Sequence, residues 1–521
     1  MVAALRPWWR GAVIYQVYVR SFRDSNGDGL GDFAGLVSKL DYIAALGVDA
    51  IWLSPIHPSP NRDWGYDVSD YDGVHPDYGT LDDFQSLTDA AHARGLKIIL
   101  DEVLAHTSDE HHWFAASRDG DLNKRDWYVW ADPKDDGTAP NNWLSVFGGP
   151  AWAYQPARRQ YYHHKFLRQQ PKLNWLNTGA REAVLDVLEL WLTRGVDGFR
   201  LDVANAFLHD AGLKDNPAIP ASSRGFAEWV AAANMQRHLN DSNLAENKVV
   251  LDVIRRRVEA FDDRFVFGEF SEEFERSGCY LPPDKGLHAG YNFALLLAND
   301  VTAIRAHLET LAKYPDHWPA IAFSNHDVTR TATRFGTGSE KMMLALLFSL
   351  RGTVLLYQGE ELGLPEADLA RSQLRDPVGD LYYPLFKGRD GCRTPMPWEP
   401  GPNLGFTSGT PWLPLAPAHS ALTVAAQERD PGSALAFARA MLKARNAHDS
   451  LRDADLILQD APLPMLAFRR GEILCVFNLG RTAMDWVLPQ QATALDFGTG
   501  EARQTDGCLT LGPLSAWFGR V

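Results

Sequence analysis

The chain has 521 residues, of which 45% are hydrophobic and 22% are charged, and this composition excludes a disordered, fibrous or very small protein. Its length allows several domains of roughly 100–200 residues each. With 51 lysines and arginines against 66 acidic residues, the net charge is −15. This charge disfavours nucleic acid as a partner and favours a neutral or cationic ligand.

Cysteine spacing and hydropathy narrow the class further. Four scattered cysteines without a Cys-x-x-Cys spacing argue against a disulfide framework and against a zinc knuckle. The sequence contains no apolar, uncharged run of about 18 residues, the length of a membrane span, and PWWR at 7–10 interrupts the N-terminus before a signal-peptide core. We therefore expect a cytoplasmic monomer or homodimer that binds a small molecule, without a membrane or nucleic-acid partner.

Short apolar runs alternate with segments of helical periodicity up to about residue 360. Such runs, bounded by turns, are typical of fully buried strands, and eight of them alternating with helices predict a (β/α)8 barrel of the TIM type. The predicted strands are VIYQVYV at 13–19, AIWLSP at 50–55, KIILDEV at 97–103, GVDGFRLDV at 195–203, RFVFGEF at 264–270, AGYNFALLL at 289–297, AIAFSNHD at 320–327 and TVLLYQGEE at 353–361.

Three segments depart from this repeat. Residues 105–177 are aromatic, polar and poorly periodic, and we interpret them as a subdomain inserted after the third strand. Residues 365–417 are rich in proline, which excludes long helices and predicts an irregular excursion. Alternating strands and tight turns at 452–521 predict an antiparallel β-sandwich. The barrel is then formed by 1–104 and 178–451.

Acidic residues end several of the predicted strands. Barrels of this type carry their chemistry at the carboxyl ends of the strands, and strands three, four, five and seven end near Asp101, Asp202, Glu269 and Asp327. Any one of these acids could be a satisfied core group, although buried acids are rare. Four strands that deliver acids to one rim predict an active site there.

Two of these acids have different predicted environments. Arg200 and Asp202 are two apart on one strand face, where the cation would hold the carboxylate ionised and lower its pKa. Glu269 shares its face with Phe265 and Phe267, and apolar neighbours raise the pKa of a carboxyl group. One charged and one protonated carboxyl group are what retaining glycoside hydrolysis needs, with Asp202 as nucleophile and Glu269 as general acid.

Asp327 would then be a third acid, placed against sugar hydroxyls and developing positive charge. A rival interpretation is a divalent metal, held by acids from successive strands, that assists proton abstraction beside a carboxylate. Arg200 counts against this rival, because a guanidinium next to Asp202 would compete electrostatically with the metal.

Nine motifs occur in order along nearly the whole chain. They are IYQVYVRSFRDSNGDGLGD at 14–32, GYDVSDY at 65–71, DEVLAHTSDEHHWF at 101–114, QPKLNW at 170–175, GVDGFRLDV at 195–203, FGEF at 267–270, SNHD at 324–327, YQGEELG at 357–363 and RTPMPW at 393–398. Through these motifs the chain resembles the α-amylase superfamily of glycoside hydrolases, glycoside hydrolase family 13, and within it the α-glucosidase and oligo-1,6-glucosidase branch.

The resemblance implies roles for residues at the motif positions. It implies Asp202 as nucleophile, Glu269 as acid/base and Asp327 as stabiliser of the transition state. It also implies that Asp67 grips the glucose hydroxyls and that Arg393 grips the neighbouring unit. The other implied residues, which would wall a blind pocket for one terminal glucose, are Tyr66, His106, Arg200 and His326; for Tyr66 and His106 the alternative is core packing.

Three positions depart from the family pattern. Ala105 stands where the family usually has Asn, so an outer hydrogen bond must be made differently or lost. Lys172 stands where the branch motif QPDLN has an acid, which blurs the subfamily. Val203 follows the nucleophile position, and in similar enzymes valine there tends to accompany α-1,6 activity. The sequence around it leaves the linkage open.

A loop near the N-terminus has the composition of a cation site. Oxygen ligands recur at alternate positions around glycines, which suits a hard cation such as Ca²⁺ or Mg²⁺. Gly35 at the twelfth position, instead of Glu, argues against an EF-hand sensor, and similar enzymes bind a structural cation here. The alternative is a glycine-rich turn with capping acids and no metal. The predicted ligands are Asp24, Asn26, Asp28, Leu30 and Asp32.

Three functional hypotheses follow. The first is an exo-acting, retaining α-glucosidase that releases glucose from short α-glucosides, with some transglucosylation. The second is an oligo-1,6-glucosidase or a sucrose-acting or transglucosylating relative, which would share the three acids. The third is a catalytically silent relative that serves as a binding chain, which predicts loss of those acids; the sequence retains them.

Overall fold

The computed structural model describes residues 6–224, 231–271 and 278–521. The first part of the chain forms a barrel that is interrupted after its third strand by a small antiparallel sheet. The strands are β1 (Val13–Val17), β2 (Ala50–Leu53), β3 (Lys97–Glu102), β4 (Trp130–Ala131), β5 (Trp152–Gln155), β6 (Gln160–His163), β7 (Gly198–Leu201), β8 (Phe265–Phe270), β9 (Ala289–Asn292), β10 (Ala320–Ile321) and β11 (Thr353–Tyr357).

Eight of these strands make one parallel sheet with the order β10-β11-β1-β2-β3-β7-β8-β9. A parallel bridge between Gly290 in β9 and Pro319, which directly precedes β10, brings the two edges together and closes the barrel. All eight predicted strands are present. The predicted (β/α)8 barrel is confirmed.

The predicted strand at 289–297 is too long. β9 ends at Asn292, and Phe293–Leu297 is helical. The Asn292 side chain accepts a hydrogen bond from the backbone N–H of Ala294 at 3.2 Å and so starts the helix. An unbroken apolar run of this length cannot by itself distinguish a buried strand from a strand followed by a helix.

Helices cover the outside of the barrel with one apolar face. Leu81–His92 begins with a capping box between Thr80 and Asp83, and it buries residues three and four positions apart. The helices are Phe33–Val37, Leu40–Leu46, Leu81–His92, His112–Asp119, Thr178–Thr193, Asn247–Glu259, Phe293–Leu297, Val301–Ala312, Thr331–Phe335, Glu340–Ser349, Pro377–Tyr382, Val424–Gln427, Ala434–Ala447 and Asp449–Arg452.

The insertion between β3 and β7 is built on the sheet β4-β6-β5 and an aromatic cluster. Trp143 stacks on Trp152 with ring centroids 5.7 Å apart, and His163 meets Trp143 edge-on at 5.0 Å. Aromatic burial thus replaces regular secondary structure as the core of this region.

The C-terminal region is a two-sheet antiparallel sandwich. Its sheets have the orders β12-β13-β14-β19-β16 and β15-β18-β17, and they share an apolar core. This confirms the predicted fold class, while the exact domain limits stay predictions. No helix among the described residues has the length and apolar character needed to cross a membrane. The strands are β12 (Leu456–Leu458), β13 (Met465–Arg470), β14 (Ile473–Asn478), β15 (Met484–Val487), β16 (Thr493–Ala494), β17 (Ala502–Thr505), β18 (Cys508–Leu511) and β19 (Ser515–Arg520).

Candidate active site

A cavity of about 170 Å³ lies at the carboxyl ends of the barrel strands. This is the end at which barrels of this type carry their active sites. Strand ends supply the acids, and the insertion and the proline-rich excursion supply much of the remaining wall. The cavity is lined by Asp63, Tyr66, His106, Val146, Phe147, Lys165, Phe166, Asp202, Val203, Glu269, Ser271, Phe293, Asp327 and Arg389.

Arg200 holds three carboxyl groups together beneath this cavity. Its guanidinium is fully buried, and one terminal nitrogen lies 2.6 Å from Asp101 Oδ1 and 2.8 Å from Asp202 Oδ1. The other terminal nitrogen lies 2.6 Å from Glu269 Oε2 and donates to the hydroxyl of Tyr291 at 3.1 Å. Asp202 and Glu269 are therefore held close together by the same guanidinium. Asp101, which does not line the cavity, forms a third ion pair with it.

The carboxyl groups of Asp202 and Glu269 both hold protons more tightly than usual. Burial raises the pKa of Asp202 to about 7, although Arg200 acts in the opposite direction. Burial, together with the charges of Asp202 and Asp327, raises the pKa of Glu269 to about 8. The predicted lowering of the Asp202 pKa is wrong, because burial outweighs a cation shared with other acids. Glu269 still has the higher pKa, as the sequence predicted.

Asp327 has the opposite electrostatic environment. Burial alone would raise its pKa, but His326, Arg389 and Arg393 together hold the pKa well below its usual range. The guanidinium nitrogens of Arg393 and Arg389 lie 2.9 Å and 3.3 Å from Asp327 Oδ1. Asp327 is therefore an ionised carboxylate beside a protonated one.

A chain of hydrogen bonds fixes the wall next to these acids. Gln16 donates to Nδ1 of His326 at 2.8 Å, so the other ring nitrogen of His326 carries the proton that it donates to the Tyr66 hydroxyl. Tyr66 in turn donates to Asp101 at 3.1 Å, and its ring stacks on His326. Burial lowers the pKa of His326 to about 3 and that of His106 to about 4, so both rings are neutral.

Two residues predicted to grip the sugar lie behind the wall. Asp67 is fully buried, and its carboxylate accepts hydrogen bonds from Ser59 Oγ and from the backbone N–H groups of Arg62 and Asp63. Arg393 is also fully buried, and it donates to the His326 carbonyl at 2.7 Å. Neither residue is among those that line the cavity, and their sugar-binding roles stay predictions.

A second pair of an acid and an arginine, Asp63 and Arg389, lines the cavity. Their side chains form an ion pair of 2.7 Å, are 5% and 12% exposed respectively, and both line the cavity. Each lies four positions before the residue that the sequence favoured, Asp67 or Arg393, and just before the motif that contains it. The motifs therefore did not single out these two residues.

The backbone is strained directly after Asp202. Val203 has a φ of 37°, a left-handed conformation that β-branched residues rarely adopt. Its backbone N–H points to Glu269 Oε2 at 3.4 Å, and its side chain lines the cavity. Such strain is often found at functional sites, where the surrounding structure holds it in place.

The predicted cation loop is tightly wound around its own acids. Asp24 accepts from the backbone N–H groups of Asn26 and Gly27 at 2.9 Å and 2.7 Å, and Asp28 accepts from that of Leu30 at 2.8 Å. Asp32 accepts from Ser25 and Gly35. Among the residues that the structure describes, no three His, Cys, Asp or Glu side chains are grouped as metal ligands. A cation here would also depend on oxygens of Asn26 and Leu30.

Comparison with known proteins places this site in a family. The family model described as Alpha amylase, catalytic domain, matches residues 16–454. A probable alpha-glucosidase of Rhizobium meliloti (strain 1021) is 46% identical over 506 residues, which cover 93% of this chain and 92% of that protein. An oligo-1,6-glucosidase of Heyndrickxia coagulans is 34% identical and covers 95% of this chain and 96% of its own length.

Solved structures agree with this result. The alpha-glucosyl transfer enzyme XgtA is 46% identical with a TM-score of 0.95, over 99% of this chain and 100% of that one. The trehalulose synthase MutB from Pseudomonas mesoacidophila MX-45 is 30% identical with a TM-score of 0.90, over 99% of both chains. The chain therefore belongs to the α-amylase family of glycoside hydrolases, in its α-glucosidase and oligo-1,6-glucosidase branch.

Proposed function

We propose that the protein is a retaining, exo-acting α-glucosidase that releases glucose from the non-reducing end of short α-glucosides. The observation that carries this proposal is that Asp202 and Glu269 contact the two terminal nitrogens of one buried guanidinium and both line the cavity. Retention through a covalent intermediate needs two carboxyl groups only about 5–5.5 Å apart. Two groups bound to one guanidinium are held close in this sense.

The pKa order assigns the roles in the proposed reaction. The Asp202 carboxylate attacks the anomeric carbon while Glu269 gives its proton to the glycosidic oxygen, so the leaving group departs and a glucosyl ester of Asp202 forms. Glu269, now ionised, then takes a proton from the water that attacks the same carbon, and the Asp202 carboxylate is released. Asp327, which stays ionised, stabilises the positive charge that develops on the sugar ring.

We further propose that Asp63 and Arg389 bind the hydroxyl groups of the terminal glucose. Both line the cavity and present charged groups, and hydrogen bonds to charged groups are stronger than neutral ones. This proposal is an alternative to the roles that the sequence analysis gave to Asp67 and Arg393. Tyr66 adds an aromatic surface to the same wall.

The two pKa values predict a narrow pH optimum. With an aryl α-glucoside, kcat/KM should rise through a pKa of about 7 as Asp202 ionises and fall through a pKa of about 8 as Glu269 loses its proton. The pair titrates as a coupled unit, so the two limbs belong to the pair rather than to either group alone. In Glu269→Gln the rate should fall by about two orders of magnitude or more, and the alkaline limb should disappear because glutamine has no proton to lose.

Glu360→Gln is the matched control for this measurement. Burial also raises the pKa of Glu360 to about 7, but this residue lies outside the cavity, so its variant should keep both limbs. Asp202→Asn should abolish turnover, because no glucosyl ester can form. An alkaline limb that persists in Glu269→Gln would exclude Glu269 as the general acid.

A second set of variants tests the proposed sugar contacts. Asp63→Asn and Arg389→Ala should each lower kcat/KM by about tenfold or more, since a lost hydrogen bond to a charged group costs roughly 1.5–3 kcal/mol. Asp67→Asn serves as the comparison, because its amide would face the backbone donors behind the wall. It should lower the melting temperature more than it changes kcat/KM. The reverse pattern would return the sugar-binding role to Asp67.

Transfer of the glucosyl group to an acceptor other than water is a second candidate function. Similarity to the alpha-glucosyl transfer enzyme favours it, and both functions share the ester at Asp202. Products from maltose, isomaltose and sucrose should be separated by chromatography, and NMR should identify the anomer of the first glucose. We expect α-glucose as the main product. An excess of transfer products over glucose would favour the second candidate, and β-glucose would overturn both.

We also propose that the loop at 24–32 binds a structural Ca²⁺ or Mg²⁺. Its predicted ligands are all oxygens, as hard cations prefer. Gly29 lets the loop pack closely against the backbone of Thr410, because a Cβ at Gly29 would lie 1.9 Å from the Thr410 carbonyl oxygen. Added Ca²⁺ should raise the melting temperature of the native protein and not that of Asp28→Asn. The exposed Asp136→Asn should respond like the native protein. Equal melting curves with and without the ion, and no bound metal by elemental analysis, would contradict the proposal.

A further inference from the structure

Lys172 is a buried lysine in the segment that joins the insertion to the barrel. Only 1% of its surface is exposed. Its backbone N–H donates to the His163 carbonyl at 2.9 Å, and its own carbonyl accepts from Val129 at 3.1 Å. Because the backbone is fixed on both sides, the side chain has a defined position.

The ammonium group of Lys172 has no carboxylate next to it. None of the ion pairs formed by the described residues includes Lys172, and its Nζ donates to the backbone carbonyl of Ala206. The charge of Asp241 raises the pKa of Lys172, but the Asp241 carboxylate is already paired, 3.3 Å from Lys165 and 2.8 Å from His238. Burial, followed by the repulsion of Lys165, lowers the pKa of Lys172 to about 7.

The other titratable groups facing Lys172 do not offset its charge. Burial, together with the charge of Lys172, lowers the pKa of three nearby histidines, which are therefore neutral: His106, His163 and His209. A buried lysine without a counter-ion is costly, and an apolar side chain would serve better if the position only filled space. The hydrogen bond from Lys172 to the Ala206 carbonyl is therefore the contact that indicates a role for this lysine.

Ala206 belongs to the turn that carries Asp202. Its backbone N–H donates to the Val203 carbonyl at 2.8 Å, so the Ala206 carbonyl lies just beyond the strained residue. On the other side the turn is tied to the barrel, since Ala204 donates to the Glu269 carbonyl at 2.9 Å. A strained backbone persists only where its surroundings hold it.

We propose that Lys172 is a positioning residue, which holds the turn at 202–206 through the Ala206 carbonyl and so fixes the direction in which Asp202 enters the cavity. This inference rests on the proposed function, because it assigns Asp202 the role of nucleophile. Lys172 does not contact the sugar; it acts through the backbone.

Lys172→Met tests the proposal, since methionine keeps the length and apolar stem but cannot donate. We expect kcat for an aryl α-glucoside to fall by about tenfold or more, because small displacements of a reacting group are costly, while KM stays within about twofold. The melting temperature should be unchanged or higher, because an unpaired buried charge is removed. Lys172→Gln keeps an N–H donor one bond nearer the backbone and should recover much of kcat. Lys313→Met, on the exposed surface, is the control.

The outcomes separate this inference from the proposed function. Native kcat in Lys172→Met, or a loss of kcat matched by a fall in melting temperature, would overturn the positioning role. If Lys172→Met does not fold, the pair Lys172→Gln and Lys172→Asn decides, since only the longer amide can reach Ala206; equal kcat in the two overturns the role. Activity that survives in Asp202→Asn would instead overturn the proposed function.

Discussion

One buried guanidinium shared by three carboxyl groups governs the active site. Arg200 contacts Asp101, Asp202 and Glu269 at 2.6–2.8 Å, and all four groups are withdrawn from water. A single positive charge cannot compensate three negative charges in a medium of low polarity. Burial is the largest cause of the raised pKa values of all three acids, the charges of neighbouring carboxylates add to it, and Arg200 acts in the opposite direction. Glu269 therefore has the environment that suits a general acid mainly because it is buried.

The positions of the arginines also give the acids different protonation states, with Glu269 protonated and Asp327 ionised. Asp327 is within reach of Arg389 and Arg393 and carries no proton, although it lines the same cavity as Glu269. Both of these arginines come from the proline-rich excursion after the last barrel strand. That segment, which has little regular secondary structure, thus determines the charge of a residue supplied by a barrel strand. Its irregular path places two guanidinium groups beside Asp327.

The sequence predicted the barrel and its acids because both depend on local patterns. Eight apolar runs predicted eight strands, and the residue at each strand end followed from that placement. Which acid of the loop after β2 lines the cavity could not be predicted in this way. Asp63 and Asp67 are both acids in one loop, and only the fold shows that backbone donors occupy the carboxylate of Asp67. The prediction of the Asp202 pKa was wrong for a similar reason. This pKa depends on burial and on charges carried by strands that are far apart in the chain.

Hydrolysis and transfer cannot be distinguished by the groups around Arg200. In the proposed reaction both use the same ester and the same proton transfers, so the choice between water and another acceptor depends on the remaining region of the cavity wall. Val146, Phe147 and Phe166 from the insertion face that region, together with Phe293 after β9. These side chains offer water no hydrogen bond, whereas an acceptor with an apolar face can contact them. The insertion thus supplies three of the apolar side chains that line the cavity.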